Sequence, residues 1–250
     1  MWLTLDKGSA VMRERIRRNR YRLAEDLKDS PQRWLFSPAA YGQYRTTLPL
    51  LQRFARGRLI DLGCGDMPFR SLIISQVETY DSLDLNPQNN DVTFVGDIQD
   101  LSMCADNSYD TILCLQVLEH IQNPFRAICE MRRILKPEGL LILSVPHLSR
   151  LHDEPHDYYR YTRYGLSYLL EQAGLQVEVL QKYGGIFCFL GHQISSTILG
   201  MVWEIPLAKN IVWFLNTWLI TRSCYYLDQL FDRSGLFALG YTVLARKVSL

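Results

Sequence analysis

The chain has 250 residues, 48% hydrophobic and 21% charged, which excludes a disordered polypeptide and provides for a sizeable core. A net charge of +1 gives no overall pull toward nucleic acid, and none is expected as a partner. The six cysteines are scattered without a C-x-x-C pair, which argues against a zinc ribbon or disulfide framework and for free thiols in a reducing compartment.

No basic-then-apolar leader opens the sequence, so a cytoplasmic location is expected. Residues 11–29 are predicted to be a helix with Met12, Ile16, Leu23 and Leu27 on one side. Six arginines (13, 15, 17, 18, 20 and 22) line it. They are either a solvated face balanced by Glu14, Glu25 and Asp26, or an attraction toward lipid headgroups or a phosphorylated substrate. Asp29-Ser30-Pro31 ends the element, and a second helix is predicted over 47–55. Between them lie Trp34, Phe36, Tyr41 and Tyr44, which either close over a ligand or pack on the core.

The segment RLIDLGCGDMPFR (58–70) reads as a buried strand, a turn at Gly63 and Gly65, and a helix start in which Pro68 suits the first turn. A nucleotide-type cofactor pressed against bare backbone is the functional reading; a tight strand-to-helix turn is the structural one. Strands follow at 79–85, 92–95, 109–115 and 140–145, with a helix from Asn123-Pro124 through Leu135. This alternation predicts an α/β sheet, whose ligands bind outside the carboxyl ends of the strands. Gly63, Asp84, Asp97, Gln116 and His147 fall at those ends and should converge on one crevice. Asp84, 19 residues after Gly65, is placed to hydrogen-bond ribose hydroxyls.

Taken together, LIDLGCG, DSLDLNP, GDIQDL, YDTILCLQVLEHIQNP and RRILKPEGLLILSVP resemble the class I S-adenosylmethionine-dependent methyltransferases. The resemblance covers about 56–183 and a last strand near 240–247. It implies a Rossmann-like, mostly parallel seven-stranded sheet with an antiparallel last strand, and S-adenosylmethionine as cofactor. Asp61, Gly63 and Gly65 would border its methionine part, Asp84 its ribose, Asp97 with the Ile98 backbone its adenine, and Gln116 the sulfonium side. The family often carries a third glycine where Met67 stands here. Four regions result: 1–55 N-terminal helical, 56–183 cofactor-binding core, 184–238 a hydrophobic helical insertion, and 239–250 the last core strand and C-terminus.

Thr162 is predicted to cap a helix bearing Leu166, Leu169, Leu170 and Ala173, followed by a sixth strand at 177–180. The loop before that helix is rich in histidine, carboxylate and tyrosine. Methyl transfer from a sulfonium needs no metal, and none is expected at the H-x4-H-x3-H spacing of His147, His152 and His156. Transfer to an alcohol needs a base; His147 is the first candidate and His156 the second, against a purely loop-bonding role. EPHDYYRYTRYGL is similar to bacterial members associated with cell-surface polysaccharide or glycolipid assembly.

In the insertion, Tyr183–Trp203 is a run of 21 residues without Asp, Glu, Lys or Arg. A lid or homodimer surface, in-plane docking at the inner membrane face, and a true span are the open readings. The expected activity is transfer of a methyl to oxygen of a sugar, glycolipid or other small or lipid-linked acceptor. The alternatives are methylation at carbon of a quinone-like ring and a non-catalytic subunit that keeps the fold.

Overall fold

The computed structural model describes residues 7–87, 91–232 and 234–248; the ends of the first and last predicted regions, 1–6 and 249–250, lie outside the described residues. The strands are β1 (Arg58–Leu62), β2 (Thr79–Asp84), β3 (Phe94–Val95), β4 (Tyr109–Leu115), β5 (Leu135–Pro146), β6 (Leu175–Tyr183) and β7 (Gly240–Lys247). The helices are α1 (Lys7–Leu27), α2 (Pro38–Phe54), α3 (Arg70–Ile73), α4 (Pro124–Ile134), α5 (Arg163–Gln172), α6 (Ile186–Val202), α7 (Pro206–Leu215) and α8 (Ser223–Phe231).

All seven strands join one sheet in the order β3-β2-β1-β4-β5-β7-β6. β1 through β5 pair in parallel, while β7 runs antiparallel to both β5 and β6. This is the Rossmann-like arrangement expected of the sequence. β4 buries all but Asp110 and Leu115, and β5 is buried throughout from Gly139 to Pro146, as expected of central strands in a largely parallel sheet. Ile60, Leu62, Ile112, Leu141 and Leu143 from the strands pack with Ile128, Met131 and Leu166 from α4 and α5. Asn123 Oδ1 accepts from Arg126 N at 3.2 Å to start α4, and Thr162 Oγ1 accepts from Gly165 N at 3.1 Å to start α5.

Two local expectations need correction. The helix after the glycine turn does not begin at Pro68: α3 starts at Arg70 and lasts four residues before a 3-10 turn at Ile74–Gln76. Met67 sits at φ 52°, left-handed backbone that cannot continue into a helix, so the chain makes an extra turn first. The second helix, predicted from 47, begins at Pro38, where Ser37 Oγ accepts from Ala40 N at 3.3 Å. That cap and the proline at the first helical position carry Tyr41 and Tyr44 into the helix.

The chain forms two compact units, 45–183 with 238–250, and the residues up to Tyr44 with Gly184–Phe237. The first holds the whole sheet. In the second, Leu23 and Leu27 of α1 pack with Leu199 of α6 and with Trp203, and Asn19 Nδ2 donates to Gly200 O at 2.8 Å. The uncharged run becomes α6, whose first backbone N–H groups are met by carboxylates of distant residues. Asp228 accepts from Gly185 N (2.6 Å), Phe187 N (2.9 Å) and Cys188 N (3.0 Å), and Asp232 accepts from Ile186 N at 2.7 Å. Of the arginines on α1, Arg15 and Arg18 pair with Glu204 at 2.5 and 2.8 Å, a partner the local sequence does not supply. Among the described residues, no helix is long and apolar enough to cross a membrane.

Candidate active site

The glycine turn is pinned to the tip of β2. Gly63 N and Cys64 N both donate to Leu83 O, at 2.8 and 3.1 Å, and Gly65 N donates to Asp84 Oδ2 at 2.9 Å. Asp84 Oδ1 accepts from Asn86 N at 2.9 Å, so its carboxylate is held in place with acceptor capacity to spare. Gly63 and Gly65 adopt φ of 69° and 52°. They differ in what surrounds them: a Cβ on Gly63 would lie 2.5 Å from Val117 Cγ2, whereas a Cβ on Gly65 would meet nothing within 4 Å. Gly63 is therefore a packing glycine, and Gly65 faces open space at the carboxyl end of β1.

Asp61 is buried directly before this turn and accepts a 2.6 Å hydrogen bond from Tyr80 OH. Burial pushes its carboxyl up to about 6, helped by the charges of Asp84 and Asp66 and opposed by the Tyr80 hydrogen bond. The same burial, together with Asp61 and Asp84, pushes the Cys64 thiol up to about 12, which leaves it protonated and unreactive at neutral pH.

At the tip of β4, Gln116 takes φ 58°, an unusual left-handed conformation for a residue other than glycine. Its backbone N–H donates to Ser144 O at 2.8 Å, and its side-chain nitrogen reaches Ser144 Oγ at 3.0 Å and Tyr183 Oη at 3.2 Å. Asp97, after β3, accepts from Gln99 N and Gln99 Nε2, both at 2.9 Å, and the neighbouring Ile98 side chain is buried in the core. The parallel strands thus bring Gly63, Gly65, Asp84, Asp97 and Gln116 to the carboxyl end of the sheet.

The histidines separate. His147 follows β5 directly, its ring 5.7 Å from that of Tyr241 and its Nδ1 buried without a hydrogen bond. Burial lowers its pKa, against a smaller raising contribution from a Tyr161 backbone hydrogen bond, so the imidazole is neutral and able to accept a proton at pH 7. His156 is exposed, its Nδ1 3.0 Å from Tyr158 Oη. The histidines that do converge are His120 and His152, on the buried Glu119. Sequence reasoning left Glu119 unassigned, since a glutamate after a strand gives no sign that burial awaits it. It also missed Tyr80 and Tyr183, whose hydroxyls reach Asp61 and Gln116 only through sheet pairing.

A family model described as a methyltransferase domain matches residues 12–190 of the chain. An uncharacterized protein of Methanocaldococcus jannaschii is 33% identical over 107 residues, covering 38% of this chain and 45% of that one. A ubiquinone biosynthesis O-methyltransferase of Xanthomonas euvesicatoria is 28% identical over 131 residues, covering 46% and 53%. The chain spans about half the length of these curated relatives. Among solved structures, the [4+2]-cyclase SpnF is similar with a TM-score of 0.58 at 18% identity, covering 82% of each chain. An S-adenosylmethionine-dependent methyltransferase from Mesorhizobium loti is similar with a TM-score of 0.52 at 15% identity, covering 82% of this chain and 97% of that one.

Proposed function

The chain belongs to the methyltransferase-domain family, and on that premise we propose that it transfers a methyl group from S-adenosylmethionine to an oxygen of a small or lipid-linked acceptor. The observation that carries this reading is the Gly65–Asp84 cradle. There a carboxylate is fixed at a strand tip beside a glycine whose missing side chain leaves space. A ribose diol on Asp84 and a methionine segment over Gly63 and Gly65 fit that arrangement, as does an adenine beside Asp97 and Ile98.

When bound, the cofactor supplies a methyl group already activated by its sulfonium. What remains for the protein is to align the acceptor, exclude water and take a proton; proximity alone can supply roughly 7–11 kcal/mol. In this reading Asp61 faces the cationic methionine end, and Gln116, locked by Ser144 and Tyr183, orients its sulfur side. His147, held neutral by burial, receives the acceptor's proton, and His156 is the second choice.

Curated relatives named for O-methylation in ubiquinone biosynthesis support an oxygen acceptor on a lipophilic small molecule. Peripheral membrane contact is the companion proposal. Leu207, Ile211, Phe214, Leu215 and Trp218 are exposed at i, i+4, i+7, i+8 and i+11, an apolar stripe suited to lie in the surface of an anionic bilayer. The test supplies full-length protein with methyl-labelled cofactor and a host extract. Label in the organic phase is the expected result. Label confined to the water-soluble fraction would remove the lipid-linked acceptor and the docking role, and no label transfer at all would remove the activity.

A further inference from the structure

Glu119 is fully buried, yet among the described residues neither of its carboxylate oxygens has a hydrogen-bond partner. A buried carboxylate without partners is costly, so it calls for a cation. What faces it is a pair of imidazoles: His120 Nε2 lies 3.8 Å and His152 Nε2 3.7 Å from Glu119 Oε1. These distances exceed a hydrogen bond, and the three donor atoms all lie within 4.8 Å of one another. Ligands bound ~2.1 Å from one ion stand ~3–3.5 Å apart, so modest side-chain adjustment would close the set.

The surroundings hold these groups in the form a metal requires. Glu119 sits on the 3-10 turn Leu118–His120, whose carbonyls are fixed by Tyr158 N and Tyr159 N on Glu119 O and by Tyr161 OH on Leu118 O. His120 Nδ1 is 2.7 Å from His156 O and must donate to it, leaving the Nε2 lone pair toward Glu119. His152 Nδ1 stands 3.5 Å from the Asp157 carboxylate, which also accepts from His152 N at 2.9 Å and is gripped by Arg160 at 2.5 and 2.6 Å. With His152 Nδ1 donating to Arg150 O at 3.4 Å, its far ring nitrogen is presented to the same point as that of His120, the orientation that metal-binding imidazoles take. Both histidine side chains remain partly exposed, at 20% and 28%, so the site opens on one side.

We propose that Glu119, His120 and His152 form a binding site for one divalent transition-metal ion, with open positions for oxygen atoms of the acceptor. Two imidazoles and one carboxylate suit manganese, iron(II), cobalt or zinc, whereas magnesium and calcium prefer all-oxygen cages. The favoured acceptor then carries adjacent oxygens, such as vicinal hydroxyls, that chelate the ion. The ion site stands on its own geometry; the acceptor's role in it rests on the methyl-transfer reading.

The test titrates metal-stripped, full-length protein with cobalt(II) chloride, following its visible absorption and the heat of binding. One ion per chain is expected, and Glu119→Gln and His152→Gln should each weaken it by about tenfold or more. The histidine variant, altered at a partly exposed ring, serves if the buried substitution fails to fold. The absence of cobalt binding, or binding unchanged in both variants, would overturn the site and leave a His152–Glu119 ion pair. Titrating S-adenosylmethionine into the same stripped protein separates the two readings: cofactor binding without cobalt binding sinks the metal site alone.

Discussion

Met67 and Gln116 hold φ of 52° and 58°, a region that costs a non-glycine residue roughly 1–2 kcal/mol, and they follow β1 and β4 on the connections that carry proposed cofactor residues. The family often has a glycine at the position of Met67, and the chain keeps glycine's backbone conformation there despite the side chain. Asp61 gives the clearest pH dependence. Its carboxyl binds protons more tightly in the folded chain, about 6 against 3.8, so it contributes stability at low pH that is lost as pH rises through about 6. A cationic ligand reverses that preference, since it binds the ionised form. Cofactor affinity should therefore fall as pH drops below about 6, and Asp61→Asn should flatten the profile. Calorimetry across this range checks it; a variant profile that tracks the wild type would take Asp61 out of the site.

The glycine turn separates folding from binding within one element. Ala at Gly63 meets Val117 as well as an unfavourable φ, whereas Ala at Gly65 meets only the φ and the space reserved for a ligand. Gly63→Ala should lose at least ~2 kcal/mol in urea unfolding, and Gly65→Ala about 1 kcal/mol but tenfold or more in cofactor affinity. Equal loss of affinity at equal stability would refute the distinction. The turn, the strands and the caps at Asn123 and Thr162 were legible in the sequence because each depends on neighbouring residues and on a period of burial. The partners of α6 were not, because Asp228 and Asp232 meet its N-terminus from about 40 residues away and Glu204 draws arginines from α1. The same limit hid the Glu119 cluster. The H-x4-H-x3-H spacing groups His152 with His147 and His156 along the chain, whereas chain folding sets it beside His120.

At the scale of the molecule, the sheet unit carries every proposed cofactor residue, and the other unit carries the arginine-lined helix and the exposed apolar stripe. Fold alone does not fix the reaction, as the similarity to a cyclase illustrates. S-adenosylmethionine binding is proposed at the strand ends that carry Gly63, Gly65, Asp84 and Gln116. Its most direct test is isothermal titration of the cofactor into the wild-type chain and into Asp84→Ala. One molecule bound per chain, with affinity reduced about tenfold in the variant, is the predicted result. No heat of binding with folded wild-type protein would contradict it.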